Sequence, residues 1–151
     1  MVACAEVALI FGVLLLATGS IWGKPTWNVW WTWDARLTTS LLLVLMLAGF
    51  LILHGSLQDL NTRVRSCSVL GILITLNLPI IYQSVNWWRT LHQPQTLLRE
   101  GGSTMDPVML KVLVANLVVV ILVSTSMVVL RSMVLQKKTI VHALQMKGMH
   151  R

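Results

Sequence analysis

Residues 7–23, VALIFGVLLLATGSIWG, contain no Asp, Glu, Lys or Arg. An apolar run of this length is close to the roughly 20 residues that an α-helix needs to cross about 30 Å of hydrocarbon. The pattern recurs at 37–58, 66–88 and 112–130, each free of the same four residue types. The 151 residues are 56% hydrophobic and 11% charged, against the roughly 25% charge of a soluble domain, and the mean hydropathy is +0.75. The predicted fold class is an all-α integral membrane protein, with four transmembrane helices and an interfacial Trp-rich segment in a single membrane domain over 1–151. Spans are expected at about 2–21, 37–54, 66–83 and 111–131. They leave no room for a soluble catalytic domain of about 100 residues or more, so any chemistry lies in loops or between helices.

The net charge is +7, but no basic patch stands apart from the membrane segments, so the chain gives no sign of a nucleic-acid partner. The charge instead sets topology. Arg131, Lys137, Lys138, Lys147 and Arg151 follow the last run with no acidic residue among them, and the positive-inside rule puts such a tail, 132–151, in the cytoplasm. The inner loop 55–65, with Arg63 and Arg65, then shares that side. The outer loops are 22–36 and 84–110, although Lys24, Arg36, Arg89, Arg99 and Lys111 make the charge asymmetry modest. Parity is stronger than charge: the two outer loops are separated by two spans and emerge on one face. All seven Trp and His92 therefore converge there, while His54, His142 and His150 lie toward the opposite face.

The first run lacks the basic start of a secretory signal and reads as a span. Pro79, in Asn77-Leu78-Pro79, removes a backbone hydrogen bond and predicts a kink near the outer end of the third span. Glu6, Asn77 and Asn116 are intramembrane polar residues and candidates for helix-to-helix hydrogen bonds. Cys4 and Cys67 form neither CxxC nor CxxCH, which excludes a thioredoxin-like pair and covalent c-type haem attachment.

The loop Trp22 to Arg36 is the most unusual stretch, with Trp22, Trp27, Trp30, Trp31 and Trp33 within twelve residues. If Pro25 opens a helix, Trp27, Trp30, Trp31 and Asp34 fall at i, i+3, i+4 and i+7 and make an aromatic face ending in a carboxylate. An aromatic belt at the headgroups is the simpler account of one or two Trp. Five suggest a platform for a flat, apolar ligand. Asp34 is equally well suited to capping the second span. In the second outer loop Trp87, Trp88 and His92 follow one another closely. A neutral imidazole ligates iron through one ring nitrogen while an acceptor holds the other. An ordinary loop histidine is the competing account. Lys24, Arg36, Arg89 and Arg99 suit either anionic ligand groups or lipid phosphates.

The string Trp22-Gly23-Lys24-Pro25 through Trp30-Trp31-Thr32-Trp33-Asp34-Ala35-Arg36-Leu37-Thr38 resembles the tryptophan-rich WWD signature of the haem-handling proteins of cytochrome c biogenesis. With Asn77-Leu78-Pro79-Ile80-Ile81 and Ser84 through Gln93, it is similar to the cytochrome c maturation protein C branch, also called haem exporter protein C. The resemblance covers nearly the whole chain. It implies a multi-pass protein of the bacterial inner membrane, or an equivalent organelle membrane, with its Trp-rich loops facing the periplasm. It further implies that haem b is held there and passed to a haem chaperone, alongside ABC transporter subunits and a small single-span subunit. By this resemblance His92 is the metal ligand, an axial histidine, and Trp22, Trp27, Trp30, Trp31, Trp33 and Asp34 are the platform. Arg36, Trp87 and Trp88 complete the expected cofactor-binding set. Family members of this kind have two further helices ahead of this region and another axial histidine in their first outer loop, so the chain is expected to be truncated at its N-terminus.

The expected function is haem binding and delivery. Covalent chemistry falls to a partner, so an enzyme is not expected. The alternative is a non-haem scaffold subunit that docks partners through its Trp-rich loops. A quinone-dependent redox enzyme fits less well, since no paired acid or proton relay is present.

Overall fold

The computed structural model describes residues 1–88, 90–93 and 102–149. Arg89, Arg99, His150 and Arg151 lie outside the described residues. The described chain is all-helical, in four elements: α1 (Val2–Trp27), α2 (Ala35–Ser56), α3 (Leu60–Trp87) and α4 (Pro107–Met149). All four are long and apolar enough to cross a membrane. The chain is a multi-pass membrane protein.

Each helix starts before its charge-free run, because the absence of charge marks where lipid is tolerated whereas α2 and α3 start where a side chain caps them. Asp34 accepts from Leu37 N at 2.8 Å and starts α2. Asp59 accepts from Thr62 N at 2.7 Å and starts α3. These satisfy amides that have no intrahelical partner. The predicted inner loop 55–65 consequently shrinks to residues 57–59, with Arg63 and Arg65 inside α3. The outer loop 22–36 shrinks to residues 28–34, and Ser84 and Trp87 belong to α3 rather than to the second loop. α3 runs through Pro79 to Trp87, and the predicted tail is helical to Met149.

Two compact units are present, one of α1 to α3 and their loops, the other built on α4. In the first, Ala5 of α1, Leu47 and Phe50 of α2 and Cys67 of α3 form a small core, flanked by Leu9, Leu43, Leu70 and Ile74. Lipid tails are as apolar as leucine, so packing and interhelical hydrogen bonds hold such helices together. A polar contribution comes from Asn77, whose side-chain N–H donates to the Thr39 carbonyl at 3.0 Å. Asn116 does not reach another helix and donates to Val112 O within α4 at 2.8 Å. Membrane hydroxyls are satisfied in the same way, as with Thr18 to Leu14 O and Thr75 to Gly71 O, since the bilayer core offers no water. Leu14, Leu15, Leu45, Ile72 and Leu76 are exposed, the inverse of a soluble domain.

The second unit is one long helix. Its 43 residues extend about 64 Å at 1.5 Å each, roughly twice the hydrocarbon thickness. The apolar part is Pro107–Val141. Asp106 Oδ1 accepts from Val108 N at 2.8 Å at its start.

Candidate functional site

α1 ends differently from the expectation that Pro25 opens a helix. Pro25 sits in the last turn of α1, where its missing N–H forfeits one bond only, and Thr26 Oγ1 donates to Trp22 O at 2.9 Å. Asn28 then adopts φ 59°, a left-handed conformation that Asn tolerates and that stops helices. Lys24 Nζ donates to Asn28 O at 3.2 Å and fixes this end, so Lys24 holds backbone. Residues 28–34 are not helical, and the proposed aromatic face at i, i+3, i+4 and i+7 does not form. Gly23 permits the chain to fold back: a Cβ there would stand 3.3 Å from Val29 O.

The return of the chain makes a cavity of about 260 Å³, lined among others by Trp22, Trp27, Trp30, Trp31, Arg36 and His92. Small-molecule sites span roughly 300–1,000 Å³, so this cavity has room for only part of a larger ligand. Its aromatic rings meet in sequence. Trp22 and Trp27 are edge-to-face at 5.1 Å, and Trp27 and His92 edge-to-face at 4.9 Å. Such contacts are worth about 0.5–1.5 kcal/mol beyond area burial.

Asp34 and His92 close the arrangement. Nδ1 of His92 stands 2.9 Å from Asp34 Oδ2, and the two side chains are 19% and 7% exposed. An ionised carboxylate only accepts, so in the neutral imidazole Nδ1 carries the proton and Nε2 keeps the lone pair. Asp34 serves α2 with its other oxygen, and its carbonyl accepts from Thr38 N at 2.9 Å. The His92 backbone N–H donates to Thr90 Oγ1 at 2.9 Å.

Trp31 carries the unpaired group. Its Nε1–H is buried and has no hydrogen-bond partner, the one such side-chain atom found among the described residues. An unsatisfied buried donor costs about 1–3 kcal/mol, and Trp31 lines the cavity. A ligand acceptor there would relieve it.

Not every predicted residue joins the cavity. Trp33 is 76% exposed and touches Trp31 edge-to-face at 5.6 Å. Trp87 and Trp88 pair with each other at 5.9 Å and do not line the cavity, because Trp87 lies in the last turn of α3 and is 61% exposed. All three rings are exposed. Ser40 and Ile81 do line it. They escaped the sequence reading because an isolated Ser or Ile in an apolar run carries no signal. Gly23 escaped it too, although a Gly beside a Trp cluster is a cue for close backbone approach.

A family model described as heme exporter protein C matches residues 1–146. The heme exporter protein C of Bradyrhizobium diazoefficiens is 46% identical over 104 residues, which are 69% of this chain and 40% of that protein. That of Escherichia coli K12 is 41% identical over 107 residues, 71% of this chain and 42% of the relative. A cytochrome c biosynthesis ccmC-like mitochondrial protein of Marchantia polymorpha is 40% identical over 99 residues, 66% and 41%. The chain thus spans about two-fifths of the length of the curated relatives it matches.

Proposed function

Because the chain belongs to the heme exporter protein C family, we propose that it is a haem-holding and haem-delivery component of cytochrome c biogenesis. It keeps haem b at the outer face of the membrane for transfer to a haem chaperone. It is a transport component rather than an enzyme, since the covalent attachment belongs to a partner. The proposed partners are that chaperone, ABC transporter subunits and a small single-span subunit. The Trp-rich side faces the periplasm of a bacterial inner membrane or the equivalent side of an organelle membrane.

The observation that carries this reading is His92, held by Asp34 and Trp27 at the edge of an aromatic cavity with the Nε2 lone pair left for a metal. Among the described residues no group of three or more His, Cys, Asp or Glu gathers to hold a bare ion. A single imidazole instead suits iron that arrives already held by the four nitrogens of a porphyrin, for which it is an axial ligand. The residues fit this cargo in three respects. Trp22, Trp27 and Trp30 offer ring faces and edges to a flat macrocycle. The unpaired Trp31 N–H and Arg36 are donors suited to its carboxylates. The small, open cavity leaves much of the ligand free for hand-over.

Titration of the purified chain with hemin in detergent tests the reading. A Soret band that shifts on binding and is lost in His92→Ala supports it. No hemin uptake by either form, with partner capture intact, favours a scaffold that docks partners through Trp33, Trp87 and Trp88.

A further inference from the structure

Histidine has two neutral tautomers, and nothing within the loop Thr90 to Gln93 selects between them. The selection comes from 58 residues away, through the Asp34 carboxylate at Nδ1. That carboxylate is itself fixed, because its other oxygen is bound to the Leu37 amide at the first turn of α2. Trp27 lies edge-to-face with the imidazole at 4.9 Å, and Thr90 ties the backbone at His92 N. The ring is thereby referenced to the start of a membrane-spanning helix rather than to its own loop.

We infer that Asp34 is a positioning residue for iron ligation: it touches no part of the cargo and acts through His92, fixing the proton on Nδ1 so that Nε2 is offered to the metal. This rests on the haem-holding reading above and replaces direct contact between Asp34 and the ligand. Two consequences separate it from a purely capping role. A carboxylate on the distal nitrogen makes the imidazole a stronger donor, which favours ferric over ferrous iron. Its removal raises the reduction potential of bound haem. Loss of such a partner also weakens metal binding, typically by about 10–100-fold.

The test uses the full chain in detergent, titrated with hemin, as wild type, Asp34→Ser, Asp34→Asn, His92→Ala and the Asp34→Ser/His92→Ala double variant. Ser and Asn both cap helices well, so α2 keeps its start in each. Ser is too short to reach His92, whereas Asn retains a neutral acceptor. The expected result is a hemin affinity lowered about 10–100-fold in Asp34→Ser and less in Asp34→Asn. The reduction potential rises in both, and the double variant is no worse than His92→Ala alone. Wild-type affinity and potential in Asp34→Ser, with binding lost in His92→Ala, would overturn the inference and leave the haem-holding reading standing. Binding unchanged in His92→Ala would overturn both.

Discussion

Asn77 of α3 donates to the Thr39 carbonyl of α2 at 3.0 Å, joining residues 38 apart in a helix pair that also packs through apolar contacts. Interhelical hydrogen bonds in membranes average about 0.6 kcal/mol and reach about 1.7. Asn77 is 5% exposed, so Asn77→Ala is expected near the upper value, about 1–2 kcal/mol. Asn116→Ala, which removes a bond inside α4 only, is expected to change stability by less than about 0.5 kcal/mol. Unfolding in mixed detergent micelles compares the two.

Gly12 permits α1 to approach α2, since a Cβ there would lie 2.8 Å from Val44 Cγ2. Gly12→Ala should cost about 1–3 kcal/mol through overpacking, and Val44→Ala in the same chain should recover part of it. Gly55→Ala meets no atom within 4 Å and should be neutral. A loss equal to that of Gly12→Ala at both sites would mean that close approach is not the cause.

Trp31→Phe keeps an aromatic ring and removes the buried unpaired donor. Relief of that donor offsets the lost ring area, so the ligand-free protein should stay within about 1 kcal/mol of wild type. A hydrogen bond to a charged acceptor is worth about 1.5–3 kcal/mol, so hemin affinity should fall at least about tenfold. Paired thermal melts and Soret titrations read the two effects separately.

At Asp59 the side-chain hydrogen bond from Thr62, aided by backbone amides of the α3 start, holds the carboxyl below its ordinary value of 3.8. The folded value lies below the unfolded one, so this cap contributes fully above pH of about 4 and is lost as pH falls through the lowered value. Hydrogen exchange at the α3 amides of Asn61, Thr62 and Arg63 should accelerate, relative to the intrinsic rate, below that pH. Asp59→Asn should abolish the dependence.

Gly23→Ala places a methyl 3.3 Å from Val29 O and 3.6 Å from Trp27 Cε3. Backbone yields less readily than a side-chain tip, so the loop should shift and hemin affinity should drop with little loss of helix content. Circular dichroism beside the titration checks both.

The amino-acid sequence by itself determined the membrane class, the four apolar helices and the shared face of the two aromatic loops. These follow from transfer of apolar side chains out of water and from counting spans, which need no tertiary contact. It also singled out the candidate site residues His92, Asp34 and Trp22 through Trp31, by residue type and crowding. Only the tertiary structure decided how they meet. A helical period through Pro25 predicted one aromatic face, but the left-handed turn at Asn28 replaced it with a folded-back loop. Trp87 and Trp88 are close to His92 in sequence yet stay outside the cavity. Asp34 is remote in sequence and reaches the ring. A hydrogen bond depends on direction and on distances of about 3 Å, and across 58 residues neither is encoded in spacing; both are fixed by how α2 and α3 pack.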